Sequence, residues 1–176
     1  MNYLDIILLL LILIPTVAGY RNGFLKSLLS LVSIIVGIYL ATRFHTGFRL
    51  VLSKLINNPR AVDIVSFLLI IGVTYFVAIF IANRLSKMNK LTRVLDKSLG
   101  LGLGFMKGVV VSSLLLIILT SISLFPHSVL KNSVLQSYLL PVAPKVYDYV
   151  STVVPINKKS FLDLNPYFQV DSLLKR

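Results

Sequence analysis

The apolar run over residues 99–125 restricts the fold of this chain most, because its 27 residues are enough to cross a bilayer as one helix. Small residues recur every four positions near its beginning: Gly100, Gly104, Gly108 and Ser112. Positions four apart lie on one face of a helix. In lipid, apolar burial does not drive helices together, so close backbone approach at small residues is a main source of association. The spacing therefore predicts a helix-packing face formed by these glycines.

Three further apolar blocks precede this run. The chain is 56% hydrophobic and 14% charged, with a mean hydropathy of +0.88, whereas soluble domains are typically about 25% charged. This pattern predicts an all-α integral membrane protein with four transmembrane helices, at about residues 4–20, 24–42, 62–83 and 99–125. We expect the first span to be retained rather than cleaved as a signal peptide, since Met1–Asp5 lacks a basic residue and carries an acid.

Two segments outside the spans are predicted to be amphipathic. In the loop over residues 43–60, apolar and basic residues alternate at helical spacing, which predicts a short interfacial helix ended by Asn57-Asn58-Pro59. Residues 126–154 have a similar period but contain prolines, so we expect a membrane-surface segment rather than a fifth span. Residues 155–176 form a polar C-terminal tail.

The charge distribution indicates which partners the chain meets. Lys and Arg number 18 against six acids, giving a net charge of +12, and the basic residues lie between and beside the apolar blocks. This placement favours contact with anionic lipid headgroups, and nucleic acid is not a predicted partner. The chain has no Cys, no HExxH motif and no paired carboxylates, so we expect no metal, no cofactor and no enzymatic activity.

The loops also predict an orientation. Four spans place both termini on one side of the membrane, and the loops over residues 19–26 and 83–98 on the other. These two compact loops carry two and five basic residues. The positive-inside rule therefore places them in the cytoplasm.

The first turn and the fourth span carry matching glycines. Gly19 and Gly23 are also four residues apart, and the four-span arrangement puts them at the same membrane surface as Gly100. One hypothesis is that these two glycine faces pack together, with Asp96 paired to Arg21 or Lys26. The alternative is that each face packs elsewhere and Asp96 caps the N-terminus of the fourth helix.

Two further charged residues lie within or at the edge of a span. Asp5 is expected to be an interfacial cap on the first helix, and the alternative is a carboxylate that binds a proton or a cation. Lys107 lies inside the fourth segment. We expect its side chain to extend to the cytoplasmic surface, and the alternative is that it faces the interior and meets an anionic solute.

Several landmarks together resemble the CvpA family, the colicin V production proteins. They are Leu4-Asp5, Gly19-Tyr20-Arg21-Asn22-Gly23-Phe24, Leu95-Asp96-Lys97-Ser98-Leu99-Gly100, Gly104, Lys107-Gly108, Asn132-Ser133-Val134-Leu135 and Leu140-Pro141. The resemblance covers about residues 1–150. It implies a small, multi-pass protein of the bacterial inner membrane, linked to colicin V production or export and to envelope maintenance.

Two functional hypotheses follow. The first is a membrane component of an export or envelope-maintenance system that acts through helix-packing partners, either as a homo-oligomer or with another membrane protein. The alternative is an oligomeric channel or transporter for a small solute or ion. The spans lack the intramembrane charge pairs expected of a coupled pump, so this alternative is a passive pore.

Overall fold

The computed structural model describes residues 3–85, 93–121 and 133–153. These residues form six helices: α1 Tyr3–Asn22, α2 Phe24–Leu52, α3 Pro59–Leu85, α4 Arg93–Ser121, α5 Val134–Leu139 and α6 Val142–Val153. The first four are long and apolar enough to cross a membrane. The all-α fold with four candidate spans, predicted from the apolar blocks, is thereby confirmed.

The four long helices pack in the order α1–α4–α2–α3, which we term the helix row. Helices α1 and α4 are antiparallel: Gly19, late in α1, lies beside Gly100, early in α4, and Ile12 lies beside Gly108. Helices α2 and α3 are also antiparallel, since Gly37 lies beside Ile71 while Arg49, later in α2, contacts Asp63, earlier in α3. The two inner helices are the more enclosed. In the apolar 18-residue stretch of α2 and of α4, 44% is buried inside the protein, against 22% for α1 and α3.

A single residue separates the first two helices. Gly23 has φ +80°, in the left-handed region that favours glycine, and it lies between the last residue of α1 and the first of α2. The end of the helix row that contains this break also contains the beginning of α4. We term it the Asp96 end, and we term the opposite end the Asp5 end.

The interfacial helix expected within residues 43–60 does not occur as a separate element. Helix α2 continues through this region to Leu52. Two contacts hold the extension: Arg43 lies 5.5 Å above the Tyr39 ring, and Arg49 Nε is 3.3 Å from Asp63 Oδ1 on α3. Helix α3 begins at residue 59 rather than 62, capped by an asparagine side chain just before it.

The segment after the fourth span packs on the protein rather than only on the membrane surface. Residues 133–153 of the expected 126–154 segment form α5 and α6, with Pro141 between them. Ala143 and Tyr147 on α6 are fully buried against α4 and α2, while Tyr149 remains exposed. The remaining residues of that segment, residues 122–125 of the fourth span and the 155–176 tail lie outside the described residues.

Candidate functional site

Glycines form the contact between α1 and α4, which we term the glycine seam. A Cβ atom added at Gly104 would collide with the carbonyl oxygen of Pro15 and lie 3.1 Å from the Cα of Gly19. A Cβ at Gly108 would lie 2.8 Å from the carbonyl oxygen of Ile12. The obstructing atoms belong to the backbone, so no side-chain rotation can relieve the collision. The two helices therefore approach to a distance that only glycine permits at these positions.

Gly19 and Gly100 continue the seam to the Asp96 end. A side chain on Gly19 would meet the carbonyl oxygen of Gly100, and one on Gly100 would lie 2.9 Å from the carbonyl carbon of Gly23. The structure thus brings together the two glycine faces that the sequence analysis considered as a pair. Helix α4 lies antiparallel to α1 along the whole seam.

At the Asp96 end, the Asp96 carboxylate caps a neighbouring helix. Its Oδ1 accepts a hydrogen bond from the Phe24 backbone N–H at 2.9 Å, at the first residue of α2. The carboxylate occupies the space where a Cβ of Gly23 would lie, with its Cγ 2.8 Å from that position. A glycine is therefore required at position 23 for two reasons: its positive φ, and the close approach of the Asp96 carboxylate.

This contact with a second helix was not among the roles considered for Asp96 from the sequence. The carboxylate joins α4 to α2. Asp96 also lies in the first turn of α4. One negative charge thus lies near the positive N-terminal ends of two helices, where it stabilises both. Arg21 lies in the last turn of α1, a favourable position for a cation.

Asp5 makes a similar arrangement at the opposite end. It lies in the first turn of α1 with only 1% of its surface exposed. Its Oδ1 accepts hydrogen bonds from the Ser133 hydroxyl at 2.5 Å and from the Leu135 N–H at 3.2 Å. The Ser133 hydroxyl oxygen in turn accepts from the Gln136 N–H at 3.2 Å. Asp5 lies in the first turn of α1, where a cap was expected, and it also joins α1 to the beginning of α5.

Lys107 is the charged side chain nearest the middle of the helix row. Its Nζ donates to the Tyr75 hydroxyl oxygen at 2.8 Å and lies 3.5 Å from the Ser30 Oγ. The ammonium is also 5.0 Å from the centroid of the Tyr75 ring. The ammonium lies among α2, α3 and α4, as in the interior position that was considered as the alternative to an extension towards the cytoplasmic surface.

Several of these partners were not anticipated from the sequence. Ser133, Ser30 and Tyr75 each bind one of the charged residues above, and none had been selected. A usable signal existed for Ser30, since serines recur three residues apart on α2 at positions 27, 30 and 33, and all three are buried. For Tyr75 and Ser133, which lie 32 and 128 residues from their partners, the sequence offers no local signal.

A cluster of aromatic residues fixes α6 on α2. The Tyr39 and Tyr147 rings stack with centroids 5.9 Å apart, and Arg43 lies over Tyr39. Burial raises the pKa of the Tyr147 hydroxyl above its ordinary value, and the neighbouring Arg43 partly offsets this effect. The phenol is therefore neutral at physiological pH. Among residues 3–85, 93–121 and 133–153, no group of three His, Cys, Asp or Glu side chains could hold a metal ion.

The family model described as colicin V production protein matches residues 4–144. The chain belongs to the colicin V production protein family. The matched region contains the glycine seam, both acidic caps and Lys107. Membership of the colicin V production protein family and the four long apolar helices together indicate a multi-pass membrane protein. No curated protein and no solved structure matches the chain.

Proposed function

We propose that the protein is a bacterial inner-membrane component that supports colicin production or export, or envelope maintenance, by binding partners within the bilayer. The partner is a further copy of the chain or another membrane protein. The order of the helix row supports this proposal, because α1 and α3 are outermost and present most of their apolar surface outward. Catalysis is not part of the proposal. Anionic lipid headgroups are the expected surroundings of the basic loops.

The observation that carries the proposal is the environment of Gly72 on α3 and Gly102 on α4. No atom of the described residues lies within 4 Å of the position that a Cβ would take at either glycine. The seam glycines, in contrast, each contact the backbone of another helix. Glycine within a helix costs about 1 kcal/mol relative to alanine. Small residues on an outward face are typical of surfaces on which a second membrane helix packs.

The outward face of α3 also carries bulky side chains beside Gly72. Val73 and Phe76 are exposed over 55% and 73% of their surfaces, and Phe80 is also exposed. A glycine next to large side chains forms a notch into which a neighbouring helix can pack closely. We therefore assign the partner-binding surface to the Gly72 face of α3.

The test is Gly72→Leu, compared with Val77→Leu on the same helix as a matched control, since Val77 is also exposed. Each variant is expressed in cells that lack the protein, and colicin yield, detergent sensitivity and crosslinked species are measured. Gly72→Leu is expected to reach normal membrane levels but to lose both the crosslinked species and complementation. Full complementation by Gly72→Leu, with crosslinking unchanged, would contradict the assignment.

A second candidate function is a passive, oligomeric conduit for a small solute or ion. The observation that favours it is Lys107, whose ammonium lies inside the helix row instead of at the surface. An ionisable side chain inside a membrane protein commonly marks a solute pathway. Purified protein reconstituted in liposomes should then release a trapped small solute, and liposomes that remain sealed would argue against this candidate.

A further inference from the structure

The position of the Lys107 ammonium is within the span. Lys107 is halfway along the 29 residues of α4, so its Cα lies about 21 Å from either end of the helix. Helical side chains lean towards the N-terminus of their helix, and here the lean brings Nζ to Ser30. Ser30 is six residues after the beginning of α2, about 9 Å along that helix. The ammonium therefore lies within the length of the helices, at the level of Ser30 on α2 rather than beyond a helix end.

The partners of this ammonium in the described residues are neutral. Tyr75 and Ser30 supply hydroxyl oxygens. Arg49 and Asp63 form an ion pair away from the Lys107 site. A cation removed from water is costly unless an opposite charge accompanies it. The described residues thus leave the charge of Lys107 without a carboxylate to balance it.

Two hydrogen-bond donors at this site have no acceptor among the described residues. The Lys107 ammonium has three N–H groups and two partners. The Tyr75 oxygen accepts from Lys107, which leaves the Tyr75 proton available. The Ser30 proton is already used, because Ser30 Oγ donates to the Ser27 carbonyl oxygen at 2.8 Å. One N–H and one O–H therefore lie on heavy atoms 2.8 Å apart.

We propose that Lys107 and Tyr75 bind a small monovalent anion, a halide or a short carboxylate, where the side chains of α4 and α3 meet beside Ser30 of α2. The anion accepts one hydrogen bond from each residue and supplies the missing negative charge. Ser30 positions the lysine. Lys107 leans towards the Asp96 end of the helix row. This end carries Arg21, Lys26 and Lys97, whose positive field raises the local concentration of anions. The anion site rests on the second candidate function, the passive conduit, and names the class of solute that it would carry. It does not depend on the Gly72 face.

The first experiment measures anion binding to the purified full-length chain in detergent. Chloride and acetate are titrated separately against gluconate at constant ionic strength, and the Tm is recorded. Wild type is expected to gain about 2–4 °C in chloride, in acetate or in both, when the anion exceeds its Kd several-fold. The anion that produces the shift identifies a halide or a carboxylate as the preferred ligand.

Three variants show whether the shift comes from this site. Lys107→Met should abolish it, Lys107→Arg should retain it, and Tyr75→Phe should reduce it while keeping the aromatic ring. If Lys107→Met does not fold, the comparison of Tyr75→Phe with wild type still decides. The proposal is overturned by an equal shift in Lys107→Met or Tyr75→Phe, or by no shift in wild type. The absence of a shift in wild type is the result expected if a carboxylate of another protein neutralises Lys107 instead.

A liposome assay separates the failure of this site from the failure of the conduit. Chloride flux is measured for wild type and Lys107→Met in the same preparation. A Tm shift that depends on Lys107, without chloride flux, supports the anion site and contradicts the conduit function. Chloride flux without any anion-dependent Tm shift contradicts the anion site and supports the conduit function.

Discussion

Adding a single methyl group to the glycine seam should separate two helices. In Gly104→Ala, the new Cβ collides with the carbonyl oxygen of Pro15 and comes within 3.1 Å of the Cα atoms of Thr16 and Gly19. All three obstructing atoms are backbone atoms of α1. Relief therefore requires α1 and α4 to move apart, which weakens the contacts along the seam.

The magnitude follows from two opposing terms. Alanine is the better helix former, by about 1 kcal/mol. Overpacking of a close contact costs about 1–3 kcal/mol. Gly102→Ala, two residues earlier on the same helix, gains the first term without the second, because nothing described lies within 4 Å of its Cβ position. The propensity term cancels between the two variants, so Gly104→Ala should be less stable than Gly102→Ala by about 1–3 kcal/mol.

The assay compares the Tm of wild type and both variants, purified in the same detergent. Each kcal/mol corresponds to about 2–4 °C for a chain of this size. Gly102→Ala should unfold at or slightly above the wild-type temperature, and Gly104→Ala clearly below Gly102→Ala. Equal Tm values for the two variants, or a Gly104→Ala variant more stable than Gly102→Ala, would refute the close approach on which the seam depends.

Three further predictions concern the polar contacts. Asp96→Ala removes the cap of α2 and should lower the free energy of unfolding by about 1 kcal/mol, whereas Asp96→Asn keeps an acceptor and should lose about 0.3–1 kcal/mol, both measured by Tm; equal stability of wild type and Asp96→Ala would contradict the cap. Asp5→Ala should raise amide hydrogen exchange in α5 at least about fivefold, and unchanged exchange would show that α5 does not depend on Asp5. The pKa of Tyr147 is raised above 10.0 in the folded state, so its contribution to stability is complete below pH 10.0 and is lost as the pH rises through the folded value. Tyr147→Phe should therefore show a smaller loss of Tm between about pH 9 and about pH 11, and identical alkaline profiles would contradict this.

Much of the fold could be predicted because membrane spans leave a strong, local signal. A continuous apolar block of sufficient length has few alternatives to a transmembrane helix in lipid. The small-residue spacing of α4 is equally local, and it led to the faces of α1 and α4 that lie together in the structure. The end of α2 was harder to predict. Whether a helix stops at the interface or continues past it depended here on Arg43 and Arg49, whose partners include a residue on α3.

The polar contacts could be predicted only in part, because their partners are distant in sequence. Asp96 was recognised as a capping residue, but the helix that it caps begins 72 residues earlier. Asp5 was likewise recognised, but its partner Ser133 lies 128 residues later. For Lys107, the tendency to extend towards the headgroups suggested the surface. The direction of the side chain was predictable, but the presence of Tyr75 and Ser30 along its path required the arrangement of α2 and α3.

The two acidic caps and the glycine seam together determine the register of α1 on α4. The seam alone is a smooth groove, and a smooth groove tolerates sliding. Asp96 joins α4 to the beginning of α2, next to the end of α1, and Asp5 joins α1 to the beginning of α5, which packs against α4. A slide of one helical turn, about 5.4 Å, would break the cap at Phe24 and move the Asp96 carboxylate away from Gly23. Each cap is worth only about 1 kcal/mol of stability, but their positions at opposite ends of a rigid pair make one register favourable over its neighbours. The Asp96 cap also joins α4 to α2, the helix that carries Ser30, so the geometry of the anion site depends on the contact at this end of the seam.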